Sequence, residues 1–145
     1  MSLKVKVIRS IGLFVILFLV FSNVVLSQEI QEAIDAGKVE YIRSCAFCHG
    51  DSGKGDGFYA SKLIVKPANI TLLKKQNKGV FPTRVVFQII EGTDDIELHG
   101  LKSMPIWGDR FDNESYLYVD DRFTRTFVRG RIFELLLYLE EMQAQ

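Results

Sequence analysis

Apolar residues recur every three or four positions in three stretches of this chain, and each stretch predicts a helix. The first runs from residue 29 to about residue 46 and carries a glycine, Gly37, on its apolar face. The second opens at Phe81 with a proline in its first turn and closes at Gly92. The third has its apolar positions at Val128, Ile132, Leu135, Leu139 and Met142, widened by Phe133, Leu136 and Leu137. No convincing β pattern or internal repeat accompanies them, so we predict an all-α domain.

Long polar stretches connect these helices. Residues 50–57 are too rich in glycine for a helix or a strand and predict a loop that turns away from a bulky group on the preceding residues. This loop lacks the Gly-Lys-Ser/Thr sequence and the preceding strand of a phosphate-binding loop. Residues 109 to about 125 predict a structured surface excursion, with a short strand or hairpin at 116–119 as an open alternative. Such long loops need something to organise them, and a large apolar cofactor would do so.

The first 27 residues predict a targeting segment. A basic start is followed by an apolar run over residues 11–21, and small residues precede Gln28. We therefore expect residues 1–27 to be a signal peptide and residues 28–145 to be the mature domain. The alternative is an uncleaved anchor in the inner membrane, because the uncharged run is close to the ~18 residues that span a bilayer. Either way the domain is exported, and we expect a periplasmic location.

Charge and cysteine content narrow the function further. The 145 residues have a formal charge of zero, without the basic excess of a nucleic-acid-binding protein. Three of the 18 basic residues, Lys4, Lys6 and Arg9, precede residue 28, so the remainder has 15 basic residues against 18 acidic ones and a formal charge of −3. The only cysteines are Cys45 and Cys48, so neither has a partner elsewhere in the chain for a structural disulfide.

These two cysteines belong to the sequence CAFCH at residues 45–49, the most informative motif of the chain. Its spacing allows two thioether bonds to one haem, and the adjacent imidazole can reach the iron. A redox dithiol would follow a strand in a βαβ unit. A zinc site would have only His49 and His99 to complete its ligands, and a blue-copper site would need a second histidine on a β-sandwich. Because those contexts are missing, we predict a covalently bound haem.

With these features the chain resembles the class I monohaem c-type cytochromes over roughly residues 29–143. The resemblance is carried by CAFCH, by Met104 in the loop MPIWG before the last helix, and by Gly37 and Tyr41 on the first helix. It implies the cytochrome c fold, in which a few helices and long loops wrap around one haem. It also implies that Gly37 and Tyr41 cross the last helix at an apolar–aromatic pair. That pair would be Leu135 and Tyr138.

The resemblance assigns the proximal side of the site. Cys45 and Cys48 would hold haem c through thioether bonds, and His49 would be the proximal iron ligand. A metal-bound imidazole donates its other N–H to an acceptor that fixes the ring. The resemblance names the carbonyl of Pro67 as that acceptor and makes Pro67 a haem contact.

The distal side is assigned to Met104, whose thioether would be the second iron ligand. It lies in a loop that the following proline stiffens; ordinary core packing is the alternative role. His99, five residues earlier, is the alternative sixth ligand, because histidine also binds haem iron. We expect Trp107 to contact the haem, and Arg84 and Arg110 are unranked candidates to pair with its propionates.

The expected function is electron transfer without substrate chemistry, so we do not expect an enzyme. The protein would carry single electrons from a donor dehydrogenase or quinol-oxidising complex to an acceptor such as a terminal oxidase. One alternative is a haem-bearing subunit of a larger oxidoreductase complex, with residues 109–125 as its partner-binding surface. Another is a haem sensor or peroxidase-like protein whose sixth ligand detaches. Lysines between residues 62 and 78 form a solvated surface or one pole of a docking dipole. Membrane contact is expected only if the N-terminal segment is retained.

Overall fold

The computed structural model describes residues 3–93 and 104–143. Its helices are α1 (Leu3–Ser44), α2 (Ala46–His49), α3 (Leu73–Gln76), α4 (Thr83–Glu91), α5 (Trp107–Ser115) and α6 (Thr124–Glu141). Short 3-10 turns cover Ala60–Lys62, Ile70–Leu72 and Asp121–Phe123. Because the described residues are mostly helical and contain no strand, the all-α prediction is confirmed.

The chain divides into two compact units, Met1–Ala33 and Ile34–Gln145. The described part of the first unit is helical throughout and belongs to α1, which begins at Leu3 and not near residue 29 as predicted. Exposed apolar side chains along it include Phe14, Phe18 and Phe21. Among the described residues, no helix has the length and apolar character that crossing a membrane requires. Cleavage after residue 27 stays a prediction.

Within the second unit, Gly37 marks the place where α1 meets α6. A Cβ atom at Gly37 would collide with the carbonyl oxygen of Glu134, so only glycine lets the two backbones approach this closely. One turn further along α1, the ring of Tyr41 lies 5.4 Å from that of Tyr138. Leu135 is fully buried at the same crossing. The predicted crossing of Gly37 and Tyr41 with Leu135 and Tyr138 is therefore confirmed.

Helices α4 and α6 follow their predicted patterns closely. Helix α4 begins directly after Pro82 and ends at Gly92, whose φ of 84° is the left-handed conformation that favours glycine. Helix α6 buries one apolar stripe, formed by Val128, Ile132, Leu135, Leu136 and Leu139. The prediction that Phe133 widens this stripe was wrong, since its side chain is 56% exposed. At 3.6 residues per turn, position 133 points about 100° away from its buried neighbour Ile132.

Helix α5 replaces the first half of the predicted surface excursion at residues 109–125. The start of this segment carries Asp109, Asp112 and Asn113, residue types that favour turns locally. Tertiary packing overrides that preference, because Trp107, Phe111 and Ser115 recur every four residues and are all buried. Residues 116–119 form turns rather than the alternative strand, and Tyr116 and Tyr118 are exposed.

Arg131 of α6 joins α1 to α5. Its guanidinium lies 2.7 Å from the carboxylate of Glu40 and 3.1 Å from that of Glu114. Burial alone would raise the pKa of Glu114. The hydrogen bond and charge of Arg131, with the charge of Arg43 and a hydrogen bond from Arg110, outweigh it, so the pKa of Glu114 lies below its ordinary value.

We expect Glu114→Gln to weaken the pH dependence of stability in acid. Because folding lowers the pKa of Glu114, its contribution is complete above the ordinary glutamate pKa of about 4.3 and is lost as the pH falls through the lower folded value. The free energy of unfolding, measured with urea from about pH 6 to about pH 3, should fall less steeply in the variant, by at most about 1.4 kcal/mol per pH unit. Asp112→Asn is the control, since Asp112 is exposed on the same helix. Identical slopes for Glu114→Gln and the unmodified protein would contradict the expectation.

Candidate functional site

The CAFCH motif forms a single tight turn directly after α1. The backbone N–H groups of Cys48 and His49 both donate to the carbonyl of Cys45, at 3.1 and 2.9 Å. Gly50 then reverses the chain with a φ of 81°, as predicted for the glycine-rich loop. The hydroxyl of Tyr41 donates to the Gly50 carbonyl at 2.6 Å and holds the turn against α1. This geometry brings both thiols and the imidazole to one wall of a cavity.

That cavity has a volume of about 290 Å³ and lies in the second unit. Its lining includes the residues predicted to hold or contact the haem: Cys45, Cys48, His49, Pro67, Met104 and Trp107. The remaining walls are largely apolar, with Leu63, Val65, Ile70, Leu73, Val86, Ile89, Ile90 and Leu139 among their side chains. Sequence analysis did not assign these side chains to the site. The periodicity of α4 and α6 signals an inward face, but it does not show what that face encloses.

The orientation of His49 is fixed from outside the motif. Its Nδ1–H donates to the carbonyl oxygen of Ala68 at 3.1 Å. The prediction that the Pro67 carbonyl accepts this bond was therefore wrong by one residue. The Pro67 carbonyl faces Gly55, where an added Cβ atom would collide with it. Because a carbonyl can only accept, Nδ1 carries the proton, and Nε2 is the nitrogen with the lone pair that binds a metal.

The environment of Cys45 is unfavourable for a redox dithiol. Cys45 and Cys48 form no disulfide. Burial, followed by the nearby Glu40 and Cys48, raises the pKa of Cys45 to about 12. Thiol–disulfide exchange needs a thiolate and hence a lowered pKa. The position of Cys45 therefore disfavours the dithiol alternative.

The chemistry of the donor set fits a haem. Among the described residues, no group of three or more His, Cys, Asp or Glu side chains is arranged to hold a metal ion. A haem does not need such a group, because its ring supplies four nitrogen ligands and the protein adds only axial ones. Two thiols and an imidazole on one wall, with a thioether and apolar side chains on the others, match that requirement.

Met104, in the segment before α5, and Trp107, the first residue of α5, both line the cavity. Met104 is partly buried against the hydrophobic core, and the buried ring of Trp107 lies 5.9 Å from that of Phe111. Gly108, the second residue of α5, lets this helix pack closely on α4, since a Cβ atom there would collide with the carbonyl oxygen of Glu91. Met104 thus lines the same cavity as His49, as a sixth ligand must. Its contacts also satisfy the alternative of ordinary packing, so ligation stays a prediction.

The candidate propionate partners are not brought to the cavity. Arg84 is exposed, and neither it nor Arg110 lines the cavity. The guanidinium of Arg110 lies 5.0 Å from the centre of the Trp107 ring and 3.4 Å from the Glu114 carboxylate. The alternative ligand His99 lies outside the described residues.

Comparison with known proteins found no relative of this chain. No model of a protein family, no curated protein and no solved structure matches the chain. The resemblance to class I monohaem cytochromes therefore depends on the motif residues and on the geometry of the cavity.

Proposed function

We propose that this protein is an exported c-type cytochrome of the class I monohaem kind, which carries single electrons between respiratory redox partners. One observation carries the proposal. Three segments that lie far apart in the sequence supply side chains to a single apolar cavity: Cys45, Cys48 and His49 of the motif, Pro67, and Met104 with Trp107. Ordinary core packing gives no reason for two thiols, an imidazole and a thioether to meet there.

The proposed cofactor is one haem c, which would supply an Fe(II)/Fe(III) couple that takes up and releases one electron. Cys45 and Cys48 would hold it through thioether bonds. His49 would offer Nε2 as the proximal ligand, while the Ala68 carbonyl fixes its ring through Nδ1. Met104 would offer a soft thioether, which favours the reduced state and raises the potential.

The remaining side chains of the site exclude water and limit access. Leu63, Val86, Ile90 and Leu139 give the cavity apolar walls, and a low-dielectric surrounding tunes a redox potential. A protein with both axial ligands in place has no open position for a substrate. We therefore propose an electron carrier and not an enzyme.

An exposed aromatic cluster beside the motif is a suitable contact for a redox partner. The ring of Phe47 lies 5.7 Å from that of Phe58 and 5.3 Å from that of Tyr59, and all three are exposed. Exposed Lys62 follows within three residues of Tyr59. Apolar contacts rimmed by charge are typical of protein interfaces. The partners would be a donor dehydrogenase or quinol-oxidising complex and an acceptor such as a terminal oxidase, reached in the periplasm after export through residues 1–27.

The segment after α5 favours a second candidate function, a haem-bearing subunit of a larger oxidoreductase complex. Tyr116, Leu117, Tyr118 and Phe123 are all more than half exposed. Apolar surface of this kind commonly marks a protein contact. Co-purification of the full chain with a larger enzyme would favour the subunit, and isolation as a free protein would favour the carrier.

We expect the purified protein to cycle between its oxidised and reduced forms without binding carbon monoxide. The physical reason is that Met104 and His49 would fill both axial positions, so a small molecule must displace a ligand to reach the iron. The measurement is the absorption spectrum of the reduced protein before and after carbon monoxide is added. A complete spectral change at low carbon monoxide concentration would contradict the carrier and support the third candidate, a sensor or peroxidase-like protein.

A further inference from the structure

Arg131 is the centre of a charged cluster that connects three helices beside the cavity. It lies on α6, its partners Glu40 and Glu114 lie on α1 and α5, and both ion pairs are charge-assisted hydrogen bonds. The side chains of Arg131 and Glu40 are each only 12% exposed. The guanidinium also lies 4.0 Å from the centre of the Phe111 ring. No local pattern in the sequence predicts this cluster.

Each arm of the cluster leads to a different wall of the cavity. On the α1 side, Glu40 accepts a hydrogen bond from the hydroxyl of Ser44, which lines the cavity and directly precedes Cys45. On the α5 side, Phe111 packs against Trp107, the first residue of α5. Residues 104–106, the Met104 segment, directly precede this helix. The cluster therefore connects the CAFCH turn at residues 45–49, the proposed attachment turn, with the Met104 segment.

We propose that Arg131 is a positioning residue that sets the distance between the attachment turn and the Met104 segment. This inference rests on the proposed function, because it assigns a purpose to holding those two segments apart. A planar guanidinium can bond two carboxylates at fixed angles, which a lysine ammonium does not do. The cluster thus adds directed bonds at fixed angles, which the non-directional apolar contacts of α6 do not provide.

A second explanation of the cluster is that its ion pairs only stabilise the packing of the three helices, and this explanation is weaker. Removing charges from water offsets much of the attraction between them, and apolar replacements of buried ion pairs are often as stable as the originals. Helix α6 already buries five apolar side chains along its length. A purely adhesive role would leave the Met104 segment unchanged when the charges are replaced together.

The test compares the full chain with a triple variant, Glu40→Gln, Arg131→Met and Glu114→Gln, which removes all three charges of the cluster together. Arg43 and Arg110 also lose their partner Glu114, but both side chains are more than half exposed to water. Backbone hydrogen exchange, the reduction potential and the methionine-to-iron absorption of the oxidised protein are measured. We expect amides of α5 to exchange about tenfold faster than in the unmodified protein while those of α4 do not change. We also expect a lower potential and a loss of methionine ligation in part of the molecules.

Two further variants make the result interpretable. Arg129→Met removes an ion pair between Arg129, which is on α6 like Arg131, and Glu91 of α4. The Arg129 side chain is more exposed than that of Arg131, and this variant should change none of these readouts. Glu114→Gln alone should produce a smaller change in the same direction if the triple variant does not fold. Unchanged α5 exchange with an unchanged potential in a folded variant would overturn the proposal. If the unmodified protein carried no haem, the proposed function would fail, whereas the α5 exchange would still decide whether Arg131 positions this helix.

Discussion

Gly37→Ala should destabilise the protein strongly, although alanine is the better helix former. The added Cβ atom would collide with the carbonyl oxygen of Glu134 on α6. A backbone carbonyl cannot rotate away as a side chain can, so the two helices must separate at Tyr41 and Leu135. We expect the free energy of unfolding to fall by about 3 kcal/mol, because overpacking exceeds the helix-propensity gain of about 1 kcal/mol. Urea denaturation of both proteins measures the difference.

Gly130→Ala is the matched control for this change. Gly130 is also a helical glycine, on α6, but a Cβ atom there would meet nothing within 4 Å. We expect this variant to be unchanged or more stable by up to about 1 kcal/mol. Equal effects at the two positions would show that propensity, and not the crossing of α1 with α6, decides the outcome.

Met104→Leu should remove the native redox properties while keeping the fold. Leucine conserves the volume of methionine, so the cost in stability should stay below about 1.5 kcal/mol. It lacks the thioether sulfur, and the reduction potential should fall by the order of 0.1 V, because axial ligands set haem potentials over a wide range. The oxidised protein should also lose its native low-spin spectrum. Potentiometric titration followed by absorption measures both changes.

Met142→Leu controls for the loss of a methionine as such. Met142 packs against the core from the end of α6 and does not line the cavity. We expect this variant to keep the potential and the spectrum of the unmodified protein. If Met104→Leu also kept them, Met104 would be an ordinary core residue, and the distal ligand would have to be sought elsewhere, first at His99.

The elements that the sequence predicted well are those with a local physical cause. The period of α6 and the proline and glycine at the ends of α4 each act within a few residues. The costly Gly37 on an apolar face was informative because only the close approach of another backbone explains it. The CAFCH spacing and Met104 predicted site residues that prove to line one cavity.

The elements that the sequence did not predict depend on contacts between residues that are distant along the chain. Helix α5 forms against local turn preferences because Phe111 is buried under α6. Arg131 and Glu40 are 91 residues apart, and no local pattern pairs them. Whether the Pro67 or the Ala68 carbonyl faces His49 depends on the path of a loop, which neither residue determines alone.

The central claim is that Cys45 and Cys48 hold one haem covalently. The most direct measurement is the mass of the protein recovered after the full chain is expressed in a bacterial host that attaches haem to exported proteins. It is combined with the spectrum of the denatured protein in alkaline pyridine. We predict a mass greater than the polypeptide by one haem, a spectrum typical of two thioether bonds, and loss of both in the double variant Cys45→Ala, Cys48→Ala. A mass equal to that of the bare polypeptide would contradict the account.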